Sequence, residues 1–178
     1  MIKHQYFAPT HLFADNTPYF ITSAIHKKRK LLAQENLKFE LLNLIQQIFQ
    51  TQGWQLHHWV ILDNHYHIMG MSDKGKDLTT IMRQIHSKSA PWIRESTSCE
   101  LPIWWNYWDY CPRNEDDYLT RLNYLLNNPI KHKYVNSLHD YPYSSFHNFL
   151  TENGRDILIR QFEDYPEYKN LTVEKDDF

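Results

Sequence analysis

Two histidines, His65 and His67, flank Tyr66 directly after an Asp63-Asn64 pair, and this spacing could hold a metal ion. Trp, Val, Ile and Leu are dense around the motif, which predicts one strand before the Asp63-Asn64 turn and a second strand after it. Residues two apart on a strand point to one side, so both imidazoles would share a face while Tyr66 faces the other. Two imidazoles form half of a divalent-metal site. A structural role is the alternative, because 11 of the 178 residues are histidine.

A second set of candidate residues lies on a helix predicted for roughly residues 115–127. Its apolar stripe comprises Tyr118, Leu119, Leu122, Leu125 and Leu126. Tyr124 falls on roughly the opposite face, and Asn128 lies on the same side as Tyr124, together with Asp117 and Arg121. A tyrosine in this position is either surface decoration or a side chain held towards a site, where it would be a nucleophile.

Asn128 could complete the metal site, because its amide oxygen is a suitable ligand for Mg²⁺ or Mn²⁺. Two histidines, one amide oxygen and open coordination positions describe a metal site that can hold a phosphate. Pro129 disfavours helical geometry at the residue before it, so the helix is expected to end at Asn128.

The elements that must position these residues follow from apolar periodicity. Strands are predicted at residues 18–25 and 102–110. One amphipathic helix carries Phe39, Leu41, Leu42, Leu44, Ile45, Ile48 and Phe49, with Gly53 at its C-cap, and a second carries the buried stripe Leu78, Ile81, Met82 and Ile85. We expect residues 1–16 to be irregular, 141–145 to form a turn, and the rest to be a polar tail with one candidate strand at 157–159.

Composition favours one folded domain with an acidic extension. The hydrophobic share is 42% and the aromatic share 15%, enough to build a core in 178 residues. The net charge of −2 does not indicate a nucleic-acid binder, but residues 1–151 carry thirteen acids and fifteen bases, and local charge decides phosphate binding. Eight acids and four bases follow, so we predict a domain at 1–150 and an acidic C-terminal extension at 151–178.

The cellular setting is predicted from features that the chain lacks. Cys99 and Cys111 are the only cysteines, and their spacing matches neither a zinc pattern nor a disulfide framework. The N-terminus does not have the features of a signal peptide, and no apolar run approaches membrane-spanning length. We therefore expect a cytoplasmic protein with no membrane partner.

The histidine motif and the tyrosine helix together resemble the single-tyrosine HUH transposases, where HUH denotes His, a bulky apolar residue and His. The carrying residues are Asn64-His65-Tyr66-His67 and, downstream, Tyr-Leu-Leu-Asn-Asn-Pro at 124–129. The order strand, helix, strand pair, helix, strand, tyrosine helix also matches. Asn-Asn-Pro-Ile-Lys at 127–131 and Tyr-Pro-Tyr-Ser-Ser at 141–145 are most similar to the REP-associated tyrosine transposases, where the latter motif usually ends Pro-Trp-Ser-Ser. The resemblance covers roughly residues 17–150.

This resemblance implies a compact α/β (α+β) domain with an antiparallel central sheet flanked by helices, a ferredoxin-like or RRM-like HUH fold. By position it implies His65, His67 and Asn128 as ligands of a divalent Mg²⁺ or Mn²⁺ cofactor. It also implies that the Tyr124 hydroxyl attacks single-stranded DNA that carries a hairpin. The products would be a 5′-phosphotyrosine bond and a 3′ hydroxyl that can later rejoin the DNA.

Six basic residues are candidates for contacts with DNA phosphates: Lys27, Lys28, Arg29, Arg83, Lys131 and Lys133. The first three follow the first predicted strand, Arg83 lies on the outer side of the second helix, and the last two follow the tyrosine helix. Ordinary solvated surface is the alternative for these residues.

Three functions compete. The leading hypothesis is a metal-dependent DNA endonuclease and strand transferase, and the alternative is a domesticated protein that binds hairpin DNA without transposition. Retention of His65, His67 and Tyr124 together argues against loss of chemistry. A third hypothesis is a metal-dependent hydrolase that uses only the histidine pair, for which Tyr124 would be dispensable. A monomer is favoured over a homodimer.

Overall fold

The computed structural model describes residues 13–173, so most of the segment predicted to be irregular at 1–16 lies outside the described residues. The elements in chain order are β1 (Pro18–Ile25), α1 (Glu35–Thr51), β2 (Gln55–Ile61), β3 (His65–Met71), α2 (Leu78–Thr97), β4 (Trp104–Tyr110), α3 (Glu115–Lys131), α4 (Phe146–Asn153) and α5 (Arg155–Asp164). The strands predicted at 18–25 and around the histidine motif are confirmed, and β4 lies within the segment predicted at 102–110.

The four strands form one sheet in the order β2-β3-β1-β4, and each neighbouring pair is antiparallel. The first six elements follow the order β-α-β-β-α-β, which is the ferredoxin-like arrangement. The predicted fold, an antiparallel sheet flanked by helices, is therefore confirmed.

The two faces of the sheet bury different residues because side chains alternate along each strand. On one face, Ile21 of β1 and Tyr66 of β3 belong to the core formed with α1 and α2. On the other face, Phe20 of β1 and Met69 of β3 belong to the core formed with α3, α4 and α5. We call these the α1/α2 face and the α3 face.

The first helix, α1, ends beside a glycine, as predicted. Gly53 follows it with φ at +73°, a backbone conformation that glycine adopts without a Cβ penalty. The prediction is wrong for Phe39, which is 60% exposed: it lies two residues from Leu37 and Leu41, hence ~200° around the helix from each. The stripe predicted for α2 is confirmed, since Leu78, Ile81, Met82 and Ile85 are all buried.

The tyrosine helix, α3, is longer than predicted. It begins at an Asn114 cap, whose side chain accepts from the Asp117 N–H at 2.8 Å, and it continues through Pro129 to Lys131. The predicted end at Asn128 is therefore wrong. Proline removes one backbone donor, but Asn128 and Pro129 are buried and the His132 N–H donates to the Asn128 carbonyl at 3.0 Å. Packing and the remaining hydrogen bonds outweigh the local cost.

The segment at 141–145, predicted as a turn, runs along the outer edge of β2. The Ile61 N–H donates to the Tyr143 carbonyl at 2.9 Å, and the Ser145 N–H donates to the Trp59 carbonyl at 2.8 Å. Ser145 Oγ in turn accepts from the Trp59 N–H at 3.0 Å. The segment thus satisfies backbone groups of an edge strand that would otherwise be open.

The C-terminal residues are not the polar tail that we predicted. The candidate strand at 157–159 is part of α5, where Leu158 is buried while Ile157 and Ile159 are 53% and 42% exposed. Leu158 joins the core of the α3 face. The boundary at residue 150 stays a prediction. Within residues 13–173, no helix combines the length and apolarity that a membrane crossing requires.

Candidate metal and nucleophile site

The hairpin turn between β2 and β3 sets the orientation of His65. Asn64 Nδ2 donates to the Lys28 carbonyl at 3.5 Å, which directs its Oδ1 towards His65 Nδ1 at 2.7 Å. An amide oxygen can only accept, so His65 Nδ1 carries the proton and Nε2 presents its lone pair. This is the tautomer that a metal-binding imidazole with a polar partner adopts.

His67 is held from the neighbouring strand. It is the register partner of Thr22 in β1, and its Nδ1 lies 2.8 Å from Thr22 Oγ1. Its ring stacks against Phe20 at 5.3 Å and meets the ring of His65 at 5.1 Å. The two imidazoles therefore share the α3 face, as predicted, while the Tyr66 ring packs against Trp104 on the α1/α2 face.

Asn128 brings its amide to the same place from α3. Its Oδ1 lies 3.3 Å from His65 Nε2, and its Nδ2 has no hydrogen-bond partner among the described residues. Two lone pairs that face each other at this distance repel unless a cation lies between them. A donor set of two imidazoles and one amide oxygen suits a divalent cation, and metal binding by these residues stays a prediction.

The surroundings keep His65 in the form that binds metal. Burial, followed by the neighbouring imidazoles of His67 and His132, lowers the pKa of His65 well below its usual value. The ring is therefore neutral at pH 7, as a metal ligand must be.

His132, one residue beyond α3, adds a third imidazole to this neighbourhood. Its ring lies 5.0 Å from that of His65, in an edge-to-face arrangement. No group of three or more His, Cys, Asp or Glu side chains in the described part of the chain is arranged to hold a metal ion. His65, His67 and Asn128 stay the predicted ligands, and His132 packs beside His65.

Tyr124 lies on the same side of α3 as Asn128, but this side is not solvated. The side chain is 1% exposed, and its ring meets His67 at 5.5 Å and Phe20 at 6.2 Å. Tyr124 is therefore not an exposed surface residue. The predicted shared side of the helix is confirmed, but it is pressed against the sheet because α4 and α5 cover the helix from the other side.

The Tyr124 hydroxyl has a basic partner two helical turns away. Lys131 Nζ donates to Tyr124 Oη at 2.8 Å and lies 4.5 Å from the centre of the tyrosine ring. An ammonium group at this distance favours a negative charge on the phenol oxygen. The sequence predicted Lys131 as a phosphate contact; its seven-residue spacing from Tyr124 had no meaning while the helix was expected to end at Asn128.

An arginine and an aspartate fix the N-terminal half of α3 against the sheet. Arg121 Nε lies 3.2 Å from Asp117 Oδ1, and the Arg121 guanidinium lies 3.4 Å from the ring centre of Tyr110 in β4. Tyr110 donates its hydroxyl to Asp117 Oδ2 at 2.7 Å. These contacts fix the rotation of the helix and hence the direction of Tyr124 and Asn128.

A buried ion pair, absent from the sequence analysis, anchors the hairpin turn. Lys38 of α1 contacts Asp63 at 2.7 Å, and the two side chains are only 6% and 15% exposed. The Asp63 carbonyl also accepts from the Leu32 N–H at 2.8 Å. A lysine within an apolar stripe gave the only signal in the sequence, and its partner 25 residues away could not be assigned without the fold.

The six residues predicted to contact DNA occupy different surroundings. Lys27 and Lys28 are exposed beside the Asn64 turn, and Lys133 is exposed just after α3. The Arg29 guanidinium instead donates to the carbonyls of His26, Glu100 and Pro102. Arg83 is exposed on α2, across the sheet from His65. DNA contact by each of them stays a prediction.

Comparison with known proteins identifies the family. The model of the family described as "Transposase IS200 like" matches residues 15–110, which span the sheet and both histidines but end before α3. The chain belongs to the IS200-like transposase family. It is 26% identical over 132 residues to the REP-associated tyrosine transposase of Escherichia coli K12, covering 72% of this chain and 76% of that one.

A solved structure shares the fold. A REP-associated tyrosine transposase bound to a REP hairpin superimposes with a TM-score of 0.70 and 22% sequence identity, over 84% of this chain and 88% of that one. The resemblance to the REP-associated branch is therefore confirmed.

Proposed function

We propose that this protein cleaves and rejoins single-stranded DNA beside a hairpin, with Tyr124 as the nucleophile. The observation that carries this proposal is the convergence of Tyr124 and Asn128 of α3 with His65 and His67 on one face of the sheet. Support for the substrate comes from the structural relative, which was solved with a REP hairpin. The proposed cofactor is Mg²⁺ or Mn²⁺, held by His65, His67 and Asn128.

A divalent cation supplies Lewis-acid stabilisation of the charge that develops on the scissile phosphate. The protein contributes the orientation of its ligands. Asn64 and Thr22 engage the Nδ1 atoms of the two histidines, so coordination would use their Nε2 atoms. The rigid sheet and the buried helix hold this set in place before DNA arrives.

Tyr124 Oη forms the new bond to phosphorus, and the bond from phosphorus to the 3′ oxygen breaks. The phenol proton leaves to solvent, and the departing 3′ oxygen takes up a proton to become a hydroxyl. A free tyrosine has a pKa of about 10, so a neighbour must stabilise the phenolate. The Lys131 ammonium, 2.8 Å from Oη, is placed to do so. Attack of a 3′ hydroxyl on the phosphotyrosine reverses the step and rejoins DNA.

One observation favours the second candidate, a protein that binds hairpin DNA without cutting it. Tyr124 is 1% exposed, so its hydroxyl cannot meet a phosphate in this conformation. Lys131, which covers it, is an exposed residue with a flexible side chain and would have to move aside. The two candidates differ in a single observable, the covalent adduct. The predicted monomer remains part of the proposal.

The test is incubation with hairpin-bearing single-stranded DNA and Mn²⁺, followed by a denaturing gel. We expect a protein band shifted by covalent DNA, lost with chelator and with Tyr124→Phe. Tyr118→Phe is the matched control, because Tyr118 lies on the same helix with its hydroxyl 3.5 Å from His57 rather than in the metal site. Hairpin binding without any adduct would favour the binding-only function.

A further inference from the structure

A cavity of about 290 Å³ lies where β1 ends, next to β4. It is lined by Ala24 and Ile25 at the end of β1, by His26, Lys27 and Lys28 of the following turn, and by Trp105 of β4. We propose that this cavity binds one nucleobase of the DNA strand next to the scissile phosphate. The inference rests on the proposed function, because it assigns a subsite to the same DNA.

The end of β1 lines the cavity and also lies next to His65. Ala24 is the register partner of His65, so the two side chains are neighbours on one face. The Ile25 N–H donates to the Asn64 carbonyl at 2.7 Å, and Asn64 Nδ2 donates to the Lys28 carbonyl. Asn64 therefore contacts both the cavity wall and His65, and a base next to a phosphate held at His65 would reach the cavity.

The chemistry of the walls suits a nucleotide. The indole of Trp105 is 36% exposed, and His26 stacks on it at 4.9 Å with an interplanar angle of 29°. Base stacking on aromatic rings is the common way in which proteins hold single-stranded DNA. Lys27 and Lys28 are exposed at the rim, where ammonium groups would meet the backbone phosphates.

The cavity is shaped before any ligand binds. Lys27 and Lys28 have φ values of +58° and +53°, which are costly for residues other than glycine. Arg29 holds this turn through its bonds to the carbonyls of His26, Glu100 and Pro102. The His26 N–H also donates to the Ile103 carbonyl at 2.8 Å. Arg29 thus supports the subsite through the backbone.

The test uses 2-aminopurine, a fluorescent base that loses emission when it stacks on a ring. It is placed in turn at each single-stranded position flanking the hairpin, and the Tyr124→Phe protein is used so that the DNA stays intact. We expect strong quenching at one position next to the cleavage site. Trp105→Leu should restore emission at that position alone and weaken binding about tenfold. Trp105→Phe should keep the quenching, because a ring remains.

Phe39→Ala is the matched control, because Phe39 is a 60% exposed aromatic residue on α1, across the sheet. It should change neither the quenching nor the affinity. Quenching that is the same in Trp105→Leu, or that shows no preferred position, would overturn the subsite while leaving the proposed function intact. If neither wild type nor Tyr124→Phe bound hairpin DNA, both the proposed function and the subsite would fall.

Discussion

Histidines pack against both faces of the sheet, and their surroundings differ in one respect. On the α1/α2 face, His86 Nε2 pairs with Ser23 Oγ at 2.7 Å, and the ring stacks on Trp104 at 4.9 Å. On the α3 face, the Nδ1 atoms of His65 and His67 are engaged, and His65 Nε2 faces the amide oxygen of Asn128. His86, which packs against Trp104, thus has a hydrogen-bond partner for its Nε2. His65 Nε2 instead faces a second acceptor, the Asn128 oxygen, which is the arrangement that we propose a cation would bridge.

The largest effect on formation of the DNA adduct is expected from substituting the histidines of the α3 face. His65→Ala or His67→Ala should abolish the DNA adduct, a loss of at least about a hundredfold, because each removes a proposed cation ligand. The same variants should lose Mn²⁺ binding in titration calorimetry without DNA. His86→Leu should retain both, corrected for the folded fraction. Equal loss of Mn²⁺ binding in the His86 and His65 variants would remove the distinction between the faces.

The second effect concerns stability in acid. Burial lowers the pKa of His86 to about 4, so the folded state resists protonation that the unfolded state accepts below about pH 6.5. Unfolding free energy should therefore fall as pH drops from about 6.5 to about 4, with up to about 3 kcal/mol from this residue. Denaturant melts should show a flatter pH dependence for His86→Leu, with the remainder due to other buried histidines. An unchanged slope would contradict the assignment.

These faces also show what the sequence could and could not predict. The shared face of His65 and His67 follows from the two-residue repeat of a strand, and that of Tyr124 and Asn128 from the helical repeat. The contacts of Thr22 and Lys38 depend on which elements become neighbours, and no local pattern encodes that. The contact of Lys131 with Tyr124 lies within α3 and was missed because the helix was expected to end at Asn128.

Local rules failed where tertiary contacts outweighed them. Pro129 did not end α3, because the helix is enclosed between the sheet and the C-terminal helices. The apolar run at 157–159 suggested a strand, but only Leu158 packs inward, as one turn of a short helix requires. Both errors concern α3 and the C-terminal helices, which share one core.

A smaller effect is expected from Lys131, the residue beside the proposed nucleophile. Lys131→Met removes the ammonium beside Tyr124 Oη and should slow adduct formation at saturating DNA by about ten- to a hundredfold. Lys133→Met, an exposed lysine two residues on, should change this rate less than twofold at saturating DNA. The rate, measured by quenched time courses, distinguishes activation from DNA affinity. Equal effects of the two variants would assign Lys131 to phosphate binding alone.

The smallest effect is expected on the salt dependence of DNA affinity, which reports which lysines contact the DNA. Lys27→Ser with Lys28→Ser should reduce the slope of log affinity against log salt by about 1.4, since each lost contact with single-stranded DNA contributes about 0.7. Lys88→Ser with Arg94→Ser, on α2 across the sheet, should leave the slope unchanged. Fluorescence anisotropy over a salt series measures both. A larger change in the α2 pair would place the strand on the α1/α2 face, where Arg83 lies.

The most direct test of the central claim is to locate the covalent bond. Trypsin should cut after Arg121 and Lys131, and the released segment 122–131 contains Tyr124 as its only hydroxyl-bearing side chain. After nuclease digestion of the adduct, tandem mass spectrometry should find a nucleotide attached to Tyr124 in this segment. A nucleotide on any other residue, or cleaved DNA with an unmodified 122–131 segment, would contradict the assignment of Tyr124 as the nucleophile.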